Sequence, residues 1–170
     1  MAVEYIPIIN SNYCKICVLK LLRIANCGDL HPLRLEAGVS VRFLDPGQPF
    51  PGDTDLVIIP GSKSTMADLA AVRATGWDID LQAHVRRGGR VLGLCGGFQM
   101  LGHTIHDPEG LEGAAGSVKG LSLLDVETTL LPKKILTRIT ATHVASGQKI
   151  DGYEIHLGAS QGTDCSRPFA

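Results

Sequence analysis

The chain has 170 residues, 44% apolar and 19% charged, which suits a globular domain with its own core. Lys and Arg number 16 against 17 Asp and Glu, and the net charge of -1 gives no field to draw nucleic acid or an anionic membrane. No stretch approaches the ~20 apolar residues of a membrane span. Met1–Asn12 lacks the basic-then-apolar pattern of a signal peptide. The five cysteines are odd in number and irregular in spacing, against a disulfide framework. The expected setting is the cytoplasm.

In chain order, the apolar run Lys15–Leu22 predicts a buried strand, and Asn26-Cys27-Gly28-Asp29 a turn. Val39–Leu44 predicts a second strand, followed by a Pro/Gly loop over 45–52. Asp55-Leu56-Val57-Ile58-Ile59 is β-branched and apolar, as a parallel strand covered on both faces should be. It stops at Pro60-Gly61. Ser64 or Thr65 can cap a helix running to Ala74. A further helix is expected over Ile79–Arg87, ending at Gly88-Gly89. Arg90–Leu94 reads as a buried strand, and Gly96–Leu101 as a helix start. The alternation predicts an α/β fold, with a parallel sheet between helices. After His103 the character changes. Leu121–Leu131, Lys134–Val144 and Lys149–Leu157 read as strands, and no linker separates them from the rest.

The strongest chemical signal is Gly93-Leu94-Cys95-Gly96-Gly97-Phe98-Gln99, between a buried strand and a helix. It is the thiol form of the nucleophile elbow, G-x-nucleophile-x-G. The turn is sharp, so Gly93 and Gly97 must leave room where it packs. The helix N-terminus behind Cys95 favours thiolate, and the Gly96 N–H points where an oxyanion would form. A plain core cysteine would need none of these flanking features. Ile59-Pro60-Gly61-Ser62-Lys63 ends another strand, where open α/β sheets bind ligands. The amides of Gly61 and Ser62 can supply the other half of an oxyanion hole. The segment lacks the spacing of a phosphate-binding P-loop.

Cys14-Lys15-Ile16-Cys17 has C-x-x-C spacing, but positions i and i+3 face opposite sides of a strand. There is no second pair for zinc, so these are expected as core cysteines and no metal site is expected. A thiol nucleophile needs a base, usually histidine. Of the six histidines, His84 is expected to face solvent among arginines, and His103 and His106 to lie at the surface. His143 and His156 fall on the late strands. Only His156, in Gly152-Tyr153-Glu154-Ile155-His156-Leu157-Gly158, has a distinctive setting.

Several long segments, in order, resemble the amidotransferase domain of cobyric acid synthases. They are 55–65 followed by Asp68-Leu69, then 76–79, 87–102 and 152–158. Shorter matches occur at 22–26 and 107–113. The resemblance covers about Lys15–Phe169, with residues 1–14 as a non-family extension. It implies a three-layer, flavodoxin-like class I glutamine amidotransferase fold, mostly parallel with late antiparallel strands. It further implies that Cys95 attacks the glutamine side-chain amide to form a thioester, with Gly96 and Gly61-Ser62 holding the oxyanion. Gln99, one helical turn beyond Cys95, would contact the glutamine, and Tyr153, Glu154 and His156 would line the same pocket. Such enzymes amidate corrin carboxylates. A separate synthetase domain binds ATP, Mg²⁺ and the corrinoid, and the amidotransferase domain itself binds no cofactor.

In the family the catalytic histidine belongs to a later Gly-Thr-Tyr-x-His-Gly motif that has no counterpart here. The domain at 15–170 is therefore expected to be incomplete and to have little activity alone. Two other readings stand beside this one. In the first, the chain is a binding module that pairs with a synthetase subunit, or with itself through an exposed sheet edge. In the second, it is an unrelated thiol enzyme using Cys95 and His156.

Overall fold

The computed structural model describes residues 13–167, which fall into two compact units divided between Gly97 and Phe98. The expectation for the extreme N-terminus lies almost wholly outside these residues.

The first unit is a parallel sheet. Strands β1 (Cys14–Leu19), β2 (Val39–Leu44), β3 (Leu56–Ile59) and β4 (Arg90–Gly93) run in the order β2-β1-β3-β4. A short α1 (His31–Leu35) follows β1, and α2 (Thr65–Ala74) and α3 (Trp77–Arg86) join β3 to β4. Period-2 alternation sorts the side chains. Ile16, Val18 and Ile58 form one core face with Leu30, packed against Leu33 of α1 and Val41, Phe43, Leu92 and Leu94. Cys17, Leu19, Val57 and Ile59 point the other way and are buried too. Crossovers leave β1 in one direction and β3 in the other, so right-handedness puts α1 and the α2–α3 pair on opposite faces. The order is flavodoxin-like, and its switch point lies between the carboxyl ends of β1 and β3.

The second unit is a mixed sheet of β5 (Thr104–Asp107), β6 (Gly116–Lys119), β7 (Glu127–Thr142) and β8 (Lys149–Gln161), in the order β6-β5-β7-β8. β5 pairs parallel with β7, and β6 and β8 run antiparallel to their neighbours. α4 (Gly96–Leu101) precedes it.

Several expectations are corrected. The first strand ends at Leu19 rather than Leu22, because 20–25 leaves the sheet to pair elsewhere: Ala25 N donates to Gly61 O and Lys63 N to Arg23 O, both at 2.8 Å. The strands expected over 121–131 and 134–144 are one strand, β7, interrupted by a register shift between Thr129 and Lys134. Pro132 lies inside the shift, where its missing N–H costs no ladder bond. Opposite it, Gly158 has φ 99°, and a Cβ there would lie 2.6 Å from Thr129 O. Residues 121–124 are not strand. Leu121 N donates to Met100 O, Ser122 N to Gly102 O, and the amides of Leu123 and Leu124 to Leu101 O. These bonds satisfy carbonyls that the end of α4 leaves open. Strands β5 and β6 and helix α1 were not anticipated, each being too short to show a period. His143 falls beyond β7, in the hairpin turn, where its Nδ1 lies 2.6 Å from Ser146 Oγ.

His84 is the clearest reversal. It is 2% exposed rather than solvent-facing. Its Nε2 donates to Arg90 O at 3.0 Å, and Phe50 meets its ring edge-on at 6.3 Å. The bond ties the end of α3 to the first residue of β4. Burial pushes the His84 pKa below its usual 6.5, with Arg87 adding to the effect, while the Arg90 carbonyl and Asp55 oppose it.

The unfolded chain therefore binds this proton at higher pH than the folded one. Stability is full above the usual value of 6.5 and is lost as pH falls through it toward the lower folded value. Urea midpoints measured between about pH 7.5 and about pH 5.5 should fall, and His84→Gln should flatten that fall. An equal slope in both proteins would exclude His84 as its source.

Candidate active site

The first unit brings four of the expected residues together. β3 and β4 pair in parallel with Ile59 opposite Gly93, and Leu94 N continues the ladder to Ile59 O at 2.9 Å. Both strands therefore end at the same level, and the turns that follow lie side by side. Gly97 N donates back to Leu94 O at 2.8 Å, closing the elbow around Cys95. Cys95 sits at φ 49°, a left-handed conformation that costs a non-glycine residue about 1–3 kcal/mol. The thiol is exposed. The turn fits because Gly97 has no side chain: a Cβ there would strike the Ile59 carbonyl and lie 2.8 Å from Pro60 O.

The adjoining turn carries Gly61 and Ser62. A Cβ at Gly61 would lie 3.7 Å from Cys95 Cβ, and one at Gly96 would lie 3.1 Å from Ser62 N. Ser62 bridges Ile24 in antiparallel fashion, through Gly61 O and Lys63 N rather than through its own amide. In such a pair the two facing residues turn their own N–H groups away from each other. The Ser62 amide is thus directed away from Ile24, and its nitrogen borders Gly96. Two backbone amides on adjoining turns beside an exposed thiol can stabilise an oxyanion formed on a carbonyl that Cys95 attacks.

Asp68 was missed as a member of this site. It lies in the first turn of α2, is 0% exposed, and accepts hydrogen bonds from Ser62 Oγ at 2.6 Å and Arg23 N at 3.2 Å. The Arg23 guanidinium stands 3.6 Å from its other oxygen, which accepts no hydrogen bond among the described residues. Its sequence signal was an acid a few residues beyond a strand-ending Gly-Ser turn.

The second unit holds the other expected residues. Gln99 is buried, and its Nε2 donates to Leu157 O on β8 at 2.8 Å. Glu154 and His156 share a face of β8, with His156 Nε2 2.8 Å from Glu154 Oε1 and His156 Nδ1 2.8 Å from Gly158 O. Tyr153 is on the opposite face and is 68% exposed, so it does not join that pair. Both His156 nitrogens face acceptors. Cys14 and Cys17 lie on opposite faces of β1. Cys17 is buried with Sγ 3.2 Å from Thr54 Oγ1, while Cys14 is only partly buried, and burial raises its pKa. Among the described residues no group of His, Cys, Asp and Glu is placed to hold a metal, and no helix is long and apolar enough to cross a membrane.

The fold is that of glutamine amidotransferases. A solved structure described as a glutamine amidotransferase superposes with TM-score 0.61 at 17% identity, covering 87% of this chain and 73% of that one. PurLQS from Thermotoga maritima gives TM-score 0.61 at 19% identity, covering 86% and 68%. Residues 15–170 match the CobB/CobQ-like glutamine amidotransferase domain, and the chain belongs to that family. Cobyric acid synthase of Cereibacter sphaeroides is 61% identical over 152 residues, 89% of this chain and 32% of that protein. The cobyric acid synthase of Bradyrhizobium diazoefficiens is 61% identical over 157 residues, 92% and 33%. The chain thus spans about a third of the length of these curated relatives.

Gly97→Ala should force the elbow off the β3 carbonyls and destabilise the chain by about 3 kcal/mol, the upper range for overpacking. Thermal melting checks this. An unchanged Tm would mean that the turn is not packed as tightly as described.

Proposed function

We propose that the chain hydrolyses glutamine through Cys95 and that the ammonia serves ATP-dependent amidation of corrin carboxylates. The observation that carries this reading is the thiol at φ 49° next to the Gly61-Ser62 turn. Cys95 sulfur adds to the side-chain amide carbon, and the carbonyl electron pair moves to oxygen, where the Ser62, Gly61 and Gly96 amides hold it. When the pair returns, the C–N bond breaks and ammonia leaves with the thiol proton, giving a glutamyl thioester. Water then cleaves the thioester to glutamate and restores the thiol. By motif match alone Gln99, Glu154 and His156 are assigned to the glutamine, while Tyr153, matched with them, lies on the other face of β8. The domain uses no cofactor, and ATP, Mg²⁺ and the corrinoid belong to a synthetase part.

His156, contacted at both ring nitrogens, is not assigned as the base, and the chain alone is proposed to turn over slowly. A glutamine-mimicking chloroketone should label Cys95, as mass spectrometry will show, and Cys95→Ala should lose the label. Labelling of Cys14 or Cys165 instead, at the same rate in both proteins, would refute the reading.

A second reading, a module that pairs with another chain, is favoured by one feature. By register, Leu136, Tyr153, Ile155 and Leu157 share one face of the β7–β8 ribbon, and Leu136, Tyr153 and Ile155 are well exposed. β8 is also the edge of its sheet. If this reading holds, sedimentation will show association with rising concentration, weakened by Tyr153→Lys. A monomer throughout would end it.

A further inference from the structure

Asp68 is a buried carboxylate that no step of the chemistry above uses. Its placement is unusual. One oxygen, Oδ2, accepts from both sides of the Ile24–Ser62 bridge: Ser62 Oγ at 2.6 Å on one strand and Arg23 N at 3.2 Å on the other. Ser62 Oγ then accepts from Ser64 N at 3.0 Å, which passes the restraint back to the start of α2. Asp68 is itself held at its backbone, where its N donates to Ser64 O at 3.0 Å. The carboxylate therefore touches both strands of the bridge from a helix.

We propose that Asp68 is a positioning residue: it clamps the Ser62 turn to the 23–25 segment and so fixes the direction in which the Ser62 amide points at the elbow. The proposal rests on the reading of Ser62 as an oxyanion donor and adds the group that sets it. The reason is geometric. An amide donor is useful only if it is aimed before the oxyanion forms, and two backbone bonds tie the turn to the 23–25 segment, Ala25 N to Gly61 O and Lys63 N to Arg23 O. Both join the turn to the 23–25 segment, and neither reaches α2. The Ser62 Oγ bond to Asp68 does, and so ties the turn to a helix as well as to the bridge. Arg23, half exposed, balances the buried charge through Oδ1 at 3.6 Å.

The test compares two thiol reagents on the purified chain. When Cys95 adds to a chloroketone analogue of glutamine, an S–C bond forms and the carbonyl pair moves to oxygen. Chloride leaves later as the sulfur or alkoxide closes on the adjacent carbon. Iodoacetamide is attacked at its methylene carbon with loss of iodide, and no oxyanion forms. The wild-type ratio of the two rates measures the oxyanion site. Asp68→Ala should lower the chloroketone rate about tenfold, against the 10²–10³ of losing a donor outright, and leave the iodoacetamide rate within about twofold. Asp68→Asn keeps one acceptor oxygen and should recover most of the ratio.

Ser62→Ala removes only the hydroxyl and should reproduce the selective loss. It carries the test if Asp68→Ala fails to fold. An unchanged ratio in Asp68→Ala and Ser62→Ala, or equal slowing of both reagents, would overturn the positioning role. A wild-type chain that shows no chloroketone preference over Cys95-directed iodoacetamide would instead overturn the oxyanion reading on which it rests.

Discussion

Everything in the first unit depends on the parallel register of β3 and β4. Ile59 lies opposite Gly93, and one further ladder bond, Leu94 N to Ile59 O, carries the pairing to the last residue before Cys95. Two strands that end at the same level must send out their turns together. Because the sheet is parallel, both turns lie at carboxyl ends, where open α/β sheets leave a crevice. A one-residue slip would exchange the faces of β4 and send the elbow into a different neighbour. The chemistry is thus set by strand pairing before any functional side chain is chosen. The close approach of Gly97 to the Ile59 and Pro60 carbonyls follows from the same register, and it explains why this position holds no side chain.

The switch point supplies the other boundary. β1 and β3 are neighbours whose following segments depart in opposite senses, and 20–26 crosses the opening to bridge Ser62. Segments of irregular backbone near a core need partners for their polar groups. Here the partners are each other, plus one buried carboxylate. Leaving Asp68 without Arg23 would remove the cation that stands 3.6 Å from its buried carboxylate. Removing Ser62 Oγ would leave the same oxygen with only the Arg23 amide. The network is therefore an all-or-none arrangement in which three residues justify one another.

Much of this was legible in the sequence, and the reasons divide cleanly. A buried parallel strand announces itself as an unbroken apolar run at 56–59, the strands at 39–44 and 90–93 were also placed closely, and the glycine spacing around Cys95 pointed to the elbow. Local pattern fails where tertiary bonds decide. Leu121–Leu124 reads as strand, yet its amides close the end of α4. Pro132 reads as a strand break, yet a bulge opposite Gly158 absorbs it. His84 stands next to arginines and reads as exposed, yet Arg86 and Arg87 turn outward while the imidazole packs under Phe50. Asp68 escaped for a related reason. An acid in a first helical turn is common for its interaction with the helix N-terminus, and nothing local shows that this one reaches backward to a serine.

His156 shows how much a partner constrains a role. A base for a thiol must present a lone pair. The imidazole of His156 has the Gly158 carbonyl at Nδ1 and the Glu154 carboxylate at Nε2, each at 2.8 Å. The Gly158 carbonyl lies at the β7 bulge, and the preceding carbonyl, Leu157, takes the Gln99 amide. His156 and Gln99 thus grip consecutive stretches of the same kinked strand. The family-like segment 152–158 is built to fix backbone at that kink. The carbonyls of Leu157 and Gly158 are thus taken up within the fold itself.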